Sequence, residues 1–221
     1  MSSPPPTFVS RGGLKLHHAL ATFNLDVTGL TCADLGCSTG GFTDCLLHAG
    51  ASRVYAVDTA YGQLAWKLRK DPRVVVMERH NALHASPPEG GVDLVVVDLG
   101  WTPQRLLVPA ALKWLKGAAS VTVSPSHPLT VSSAVPLPAI LTLIKPHYEL
   151  KAAGQPLPHG GILEDELAEQ TKQSVVDSLP ALGVRVLAVT PSPIRGSAAT
   201  ARSPKGTGNA EWLALLAPVG T

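Results

Sequence analysis

TCADLGCSTGGFTD, residues 31–44, reads as a strand that runs into a glycine turn and hands over to a helix. Residues 31–35 are apolar or β-capable, and Phe42 restarts the chain with helix-like spacing as far as residue 49. Gly36, Gly40 and Gly41 lie between, where a tight turn needs positive φ or a close backbone approach. A strand feeding a helix through glycines is how an open α/β sheet builds a nucleotide site.

The spacing G-x-x-x-G-G matches neither the dinucleotide fingerprint nor the phosphate loop that ends in Gly-Lys-Ser/Thr. A pyrophosphate cradle is therefore disfavoured, and S-adenosylmethionine (SAM) fits better. Asp34 and the backbone after Gly36 face the amino-acid end of that cofactor, and Ser38, Gly40, Gly41 and Phe42 complete the turn. One strand and one helix later, RVYAVD closes an apolar strand on Asp58, an acid placed to accept both ribose hydroxyls of a nucleoside. Asn81 follows the third predicted strand, where such folds line the adenine. The competing reading is an ordinary strand-to-helix turn whose acid caps the next helix.

Composition sets the frame around this site. At 221 residues, 23.0 kDa and 45% hydrophobic content, the chain suits one α/β domain with a full core. Eighteen basic against 16 acidic residues leave a net charge of only +2, so a nucleic-acid partner would be held by a local patch. Cys32, Cys37 and Cys45 form no C-x-x-C pair, which argues against a disulfide framework or a zinc site; no metal is expected. No apolar run has signal-peptide character or approaches the roughly 20 residues of a membrane helix. The expectation is a cytoplasmic, soluble protein with no membrane partner.

In chain order, residues 1–13 form a proline-rich tail and lead-in, and residues 14–221 a single domain. Leu14, Leu16, Ala19, Leu20 and Phe23 recur at helical spacing, which leaves Lys15 off the main apolar stripe. Beyond the opening strand, predicted strands at 54–58, 73–77, 92–98, 140–145, 184–190 and 210–217 alternate with helices at 42–49, 63–69, 102–116 and 164–179. VDLVVVD, residues 92–98, is the kind of apolar run buried on both faces of a parallel sheet. Residues 120–138 are too proline-rich for a central strand and too apolar for a simple flexible linker, and read as an insertion.

Because the last two strands are joined without a helix, the pattern predicts a doubly wound, mostly parallel seven-stranded sheet with an antiparallel last strand. The ligand crevice of such a sheet lies beyond the carboxyl ends of its strands. Asp34, Asp58, Asp98 and Lys145 should face it, joined by Glu211 at the start of the antiparallel strand. The loop 192–209 brings Arg195, Arg202 and Lys205 to the same mouth, either as a phosphate clamp or as scattered solvated charges, and Arg11 is a further basic candidate.

With these residues in view, the chain resembles the TlyA/hemolysin-A-like branch of the FtsJ-type RNA ribose 2′-O-methyltransferases. The matching pieces are SRGGLKL at 10–16, STGGFTDCLL at 38–47, VYAVDTAYGQLAWKLRKDPRVVVMER at 54–79, VVVDL at 95–99, LIKPHYE at 143–149 and TPSPIRG at 190–196. The resemblance implies a Rossmann-like class I SAM-dependent methyltransferase fold, ribosomal RNA or a ribosomal particle as substrate, and a Lys-Asp-Lys-Glu tetrad at Lys15, Asp98, Lys145 and Glu211. A ribose 2′-hydroxyl is a poor nucleophile, and attack on a SAM methyl requires its proton to be removed or its lone pair aimed. Lys145 is the candidate for that role, as base or as orienting group, with Glu211 balancing charge.

Three departures from the family pattern bear on function. Family members usually carry a small N-terminal RNA-binding domain, whereas here the sequence starts almost at the first catalytic helix, which leaves substrate recruitment open, a protein partner in that domain's place being one expectation. After Asp98 the family has Ser-Phe-Ile where this chain has Gly100, Trp101 and Thr102; Trp101 either stacks on a base or packs in the core. The third departure is the insertion at 120–138. Two other functions compete: a SAM-dependent methyltransferase for a small-molecule or protein acceptor, and a non-catalytic RNA-binding or ribosome assembly factor.

Overall fold

The computed structural model describes residues 7–117, 135–196 and 208–219. The predicted tail at 1–6 and most of the predicted insertion lie outside them. Among the described residues seven strands form one sheet in the order β3-β2-β1-β4-β5-β7-β6. They are β1 (Thr31–Leu35), β2 (Arg53–Asp58), β3 (Val74–Glu78), β4 (Leu94–Val97), β5 (Ala139–Ile144), β6 (Val184–Pro191) and β7 (Trp212–Pro218). Only β7 runs against its neighbours, pairing antiparallel with both β5 and β6. This is the doubly wound topology expected from the alternating pattern.

Among the described residues six α-helices flank the sheet: α1 (Gly12–Thr22), α2 (Gly41–His48), α3 (Trp66–Arg69), α4 (Gln104–Leu112), α5 (Pro146–Ala152) and α6 (Asp165–Ser178). The period-2 alternation of the strands separates two apolar cores. Cys32, Leu94, Val96, Leu141 and Leu213 pack towards Leu16, Phe42 and Leu46 of α1 and α2. Val95, Val97, Ile140 and Ala214 face the other way, towards Leu107 of α4 and Ala168 of α6.

Several predicted boundaries move, each for a local reason. Helix α3 starts at Trp66 rather than at residue 63, because Ala65 sits at φ −55°, ψ 138° and gives its N–H to the Thr39 carbonyl at 3.0 Å. Helix α4 is shorter than 102–116: extended Pro103 caps it, and the residues after Leu112 turn so that Leu115 bridges Val92. Helix α5 was not expected. Pro146 ends β5, but it also occupies the first helical position, where its missing N–H costs nothing and its fixed φ suits the helix.

Asp44 ties the lead-in and two helices together. Only 2% exposed, it accepts the Val9 N–H at 2.9 Å and pairs with Lys67 Nζ at 3.0 Å. Replacing it with alanine strands the Val9 donor, and an expected loss of about 1–3 kcal/mol is measurable by urea denaturation.

Candidate functional site

The strand order reverses between β1 and β4, and the crevice at that switch point holds a cavity of 680 Å³. Three carboxylates reach its wall: Asp34 from β1, Asp58 from the end of β2 and Asp98 just after β4. Arg11, Lys15, Gly36, Ser38, Gly41, Phe42 and Arg195 also line it. Gly40 holds φ +100° at the N-cap of α2 and lies behind the turn. Among the described residues no cluster of His, Cys, Asp or Glu could hold a metal ion.

The turn packs closely against its neighbours because of what its glycines lack. Gly36 holds φ +91°, and a Cβ there would stand 2.8 Å from Leu99 Cδ2 and 2.9 Å from the Asp98 carbonyl oxygen. Any side chain would wedge apart the two strand ends that form the crevice. A second wall is set by Asp58, whose Oδ2 accepts the Ser38 N–H and whose Oδ1 accepts the Ala60 N–H, both at 2.8 Å. Ser38 is itself in the left-handed region at φ +49°, so Asp58 holds the turn in its shape. Each oxygen keeps a second lone pair, which a ribose hydroxyl can use.

Asp34 is fully buried, and its Oδ2 accepts both the Thr43 N–H at 2.9 Å and the Thr43 hydroxyl at 2.7 Å. Its Oδ1 is buried with no hydrogen-bond partner. Burial pushes this carboxyl up to about 7, against the lowering effect of the Thr43 hydroxyl, with Asp98 and Asp58 adding to the rise. A raised value favours the protonated form in the folded state. The stability it contributes is complete below about pH 4 and fades as pH rises towards 7. Asp34→Asn is expected to remove that part of the pH dependence from a series of thermal unfolding curves.

Beside the cavity, two lysine–carboxylate pairs converge. The antiparallel register sets Ile144 opposite Trp212, which carries Lys145 and Glu211 to the same level at the crevice. Lys15 Nζ lies 2.5 Å from Glu211 Oε2, with side-chain exposures of 10% and 4%. Lys145 Nζ lies 2.5 Å from Asp98 Oδ1 and donates to the Leu99 carbonyl at 3.3 Å. Lys15 thus leaves the stripe of Leu16, Ala19 and Leu20 but is buried all the same, because Glu211 compensates its charge inside.

Not every predicted residue joins this set. Asn81 is exposed and absent from the cavity wall; its Oδ1 accepts the Leu83 N–H, so it closes its own turn. Arg195 reaches the cavity but is held by both oxygens of Asp165 at 2.8 Å. Arg202 and Lys205 lie outside the described residues. Trp101 is 69% exposed at φ +62°, lining the cavity and tilted against Tyr148 at 4.8 Å between ring centroids. It is a surface aromatic, not a core one. Tyr148 and His147, on the unexpected helix α5, had not been singled out from the sequence. His147 Nδ1 is buried and unpaired, and burial together with Lys145 and Lys15 lowers its pKa to about 4.

The model of the FtsJ-like methyltransferase family matches residues 8–202. The chain belongs to that family. This FtsJ-like chain is 40% identical to the 16S/23S rRNA (cytidine-2′-O)-methyltransferase TlyA of Mycobacterium tuberculosis, over 95% of its own length and 68% of that protein's. It is 33% identical to Hemolysin A of Brachyspira hyodysenteriae, over 94% of its length and 75% of the relative's. Among solved structures, a hemolysin-type protein from Streptococcus thermophilus superposes with a TM-score of 0.76 at 34% identity, covering 98% of this chain and 69% of that one. The FtsJ-like fold extends further: an S-adenosylmethionine-dependent methyltransferase from Mesorhizobium loti shares it with a TM-score of 0.55 at 18% identity, covering 90% of this chain and 95% of that one. Among the described residues no helix is long and apolar enough to cross a membrane.

Proposed function

We propose that this FtsJ-like chain is a SAM-dependent RNA ribose 2′-O-methyltransferase acting on ribosomal RNA in the cytoplasm. The observation that carries the reading is the convergence of Lys15–Glu211 and Lys145–Asp98 at one end of a cavity whose other end suits a nucleoside. The fit to SAM rests on this chain's own features. The unpaired Asp34 Oδ1 offers a partner for a cationic amino-acid end, Asp58 keeps acceptor capacity for ribose, and the bare Gly36 lets the chain after β4 approach the turn closely. The names of the relatives, which include an rRNA 2′-O-methyltransferase, support the RNA acceptor.

SAM, when bound, supplies an electrophilic methyl group. The rest falls to the protein. Lys145, paired with Asp98, donates a hydrogen bond to the ribose 2′-oxygen and aims its lone pair; Asp98 is the nearest carboxylate to accept the proton that the hydroxyl gives up. Lys15 and Glu211 form a second, more enclosed pair that fixes the field around the first. Trp101, exposed beside the cavity over Tyr148, presents a ring face to the base of the target nucleotide.

Two experiments test the reading. SAM binding by calorimetry should weaken in Asp58→Ala by about tenfold or more, since ribose acceptors and the brace on Ser38 go together; unchanged affinity would refute the assignment. RNA from cells lacking the protein, treated with the enzyme and SAM and digested to nucleosides, should yield a 2′-O-methylnucleoside by mass spectrometry. A methylated base instead would contradict the ribose chemistry.

A further inference from the structure

The loop and short helix between β2 and β3, with the sequence AYGQLAWKLR at 60–69, carry two large aromatics that no core uses. Tyr61 is 70% exposed and Trp66 is 69% exposed. They are not loose. Leu64 and Leu68 on the same segment are 3% and 2% exposed and anchor it in the core. Glu78 accepts the Gly62 N–H at 2.8 Å and pairs with Arg69, which fixes the loop to β3. The ring faces are therefore presented on a rigid mount at little further entropic cost.

Each ring has a cation over it. The Arg79 guanidinium carbon lies 4.4 Å from the Tyr61 centroid, and Lys70 Nζ lies 4.8 Å from that of Trp66. Nearby cations are already neutralised: Lys67 by Asp44, Arg69 by Glu78 and Arg73 by Asp71. Among the described residues Lys70 and Arg79 enter no ion pair with a carboxylate. Arg79 also holds the left-handed backbone at φ +58°, braced by its N–H to the Ala60 carbonyl at 3.3 Å.

Alternating π-faces and uncompensated cations are what a single strand needs, bases stacking on the rings and phosphates taking the charges. A duplex, whose bases are already stacked, has no use for two exposed ring faces. Position supports the same partner: Thr59, Ala60 and Gln63 line the cavity, so Tyr61 sits at its rim. We propose that this surface docks single-stranded RNA next to the target nucleotide, with bases on Tyr61 and Trp66 and phosphates on Arg79 and Lys70. The proposal rests on the RNA-methylating reading and extends its substrate contact to the β2–β3 side of the cavity.

The test uses a fluorescein-labelled single-stranded RNA of about 15 nucleotides, followed by anisotropy at several salt concentrations. Tyr61→Ala/Trp66→Ala is expected to weaken binding by about tenfold or more. Lys70→Gln should lower the slope of log affinity against log salt by about 0.7. In a Trp101→Phe background, where Trp114 and Trp212 are buried and Trp66 is the exposed indole, RNA should quench emission, and adding Trp66→Phe should abolish that quenching. Equal RNA affinity in the double variant, or no quenching, overturns the proposal while methyl transfer by the wild type keeps the enzyme reading intact, and points the surface to a protein partner. A wild type that neither binds nor methylates RNA overturns both.

Discussion

Lys145→Ala is expected to lower methyl transfer at saturating SAM and RNA by at least about a hundredfold, within the range of a lost acid–base or orienting group. SAM affinity should change little, because Lys145 is absent from the cavity wall and touches Asp98 and the Leu99 carbonyl instead. The side chain is enclosed enough for the effect to be large, since its exposure is 12% and an ammonium there has few competing waters. Lys145→Arg separates position from charge. A guanidinium keeps the charge but is a planar fork in place of a compact ammonium, so restored stability without restored turnover is the expected outcome. Turnover near the wild-type rate in Lys145→Ala would remove the chemical role proposed for the pair.

Glu211→Ala should have the largest effect on the folded state, a loss of about 3–5 kcal/mol in urea denaturation, because it leaves the Lys15 ammonium enclosed and unpaired. Replacing both partners, Lys15→Met with Glu211→Leu, should restore most of that stability, since an apolar pair of similar volume avoids the desolvation of two charges. Methyl transfer should stay lost in the double variant. Recovery of stability together with activity would show that this pair serves only the fold.

Much of the site was legible because a parallel sheet delivers its strand ends to one place. Asp34, Asp58, Asp98 and Lys145 each lie at or near the end of a predicted strand, and the observed sheet order brings those ends to one crevice. Glu211 followed from the antiparallel direction of β7. What periodicity could not carry were contacts set by tertiary packing. The Lys15–Glu211 bond joins residues 196 apart. That Asp58 braces Ser38 depends on where the turn falls against β2, and a lone acid at a strand end looks the same whether it binds a ligand or a backbone N–H. Asn81 was placed by fold analogy, yet its own turn satisfies its side chain. Helix α5 was missed because Pro146 was read as the end of a strand and not also as the first residue of a helix, and with it went the Trp101–Tyr148 stack.

The most direct measurement is transfer of labelled methyl from SAM to RNA from cells lacking this protein, with wild type and Lys145→Ala side by side, followed by alkaline hydrolysis. A 2′-O-methyl group blocks cleavage of the adjoining phosphodiester, so label should remain in alkali-stable dinucleotides of ribosomal RNA and be absent with the variant. Label released in mononucleotides, or equal label from both proteins, would contradict the ribose chemistry assigned to the Lys145–Asp98 pair.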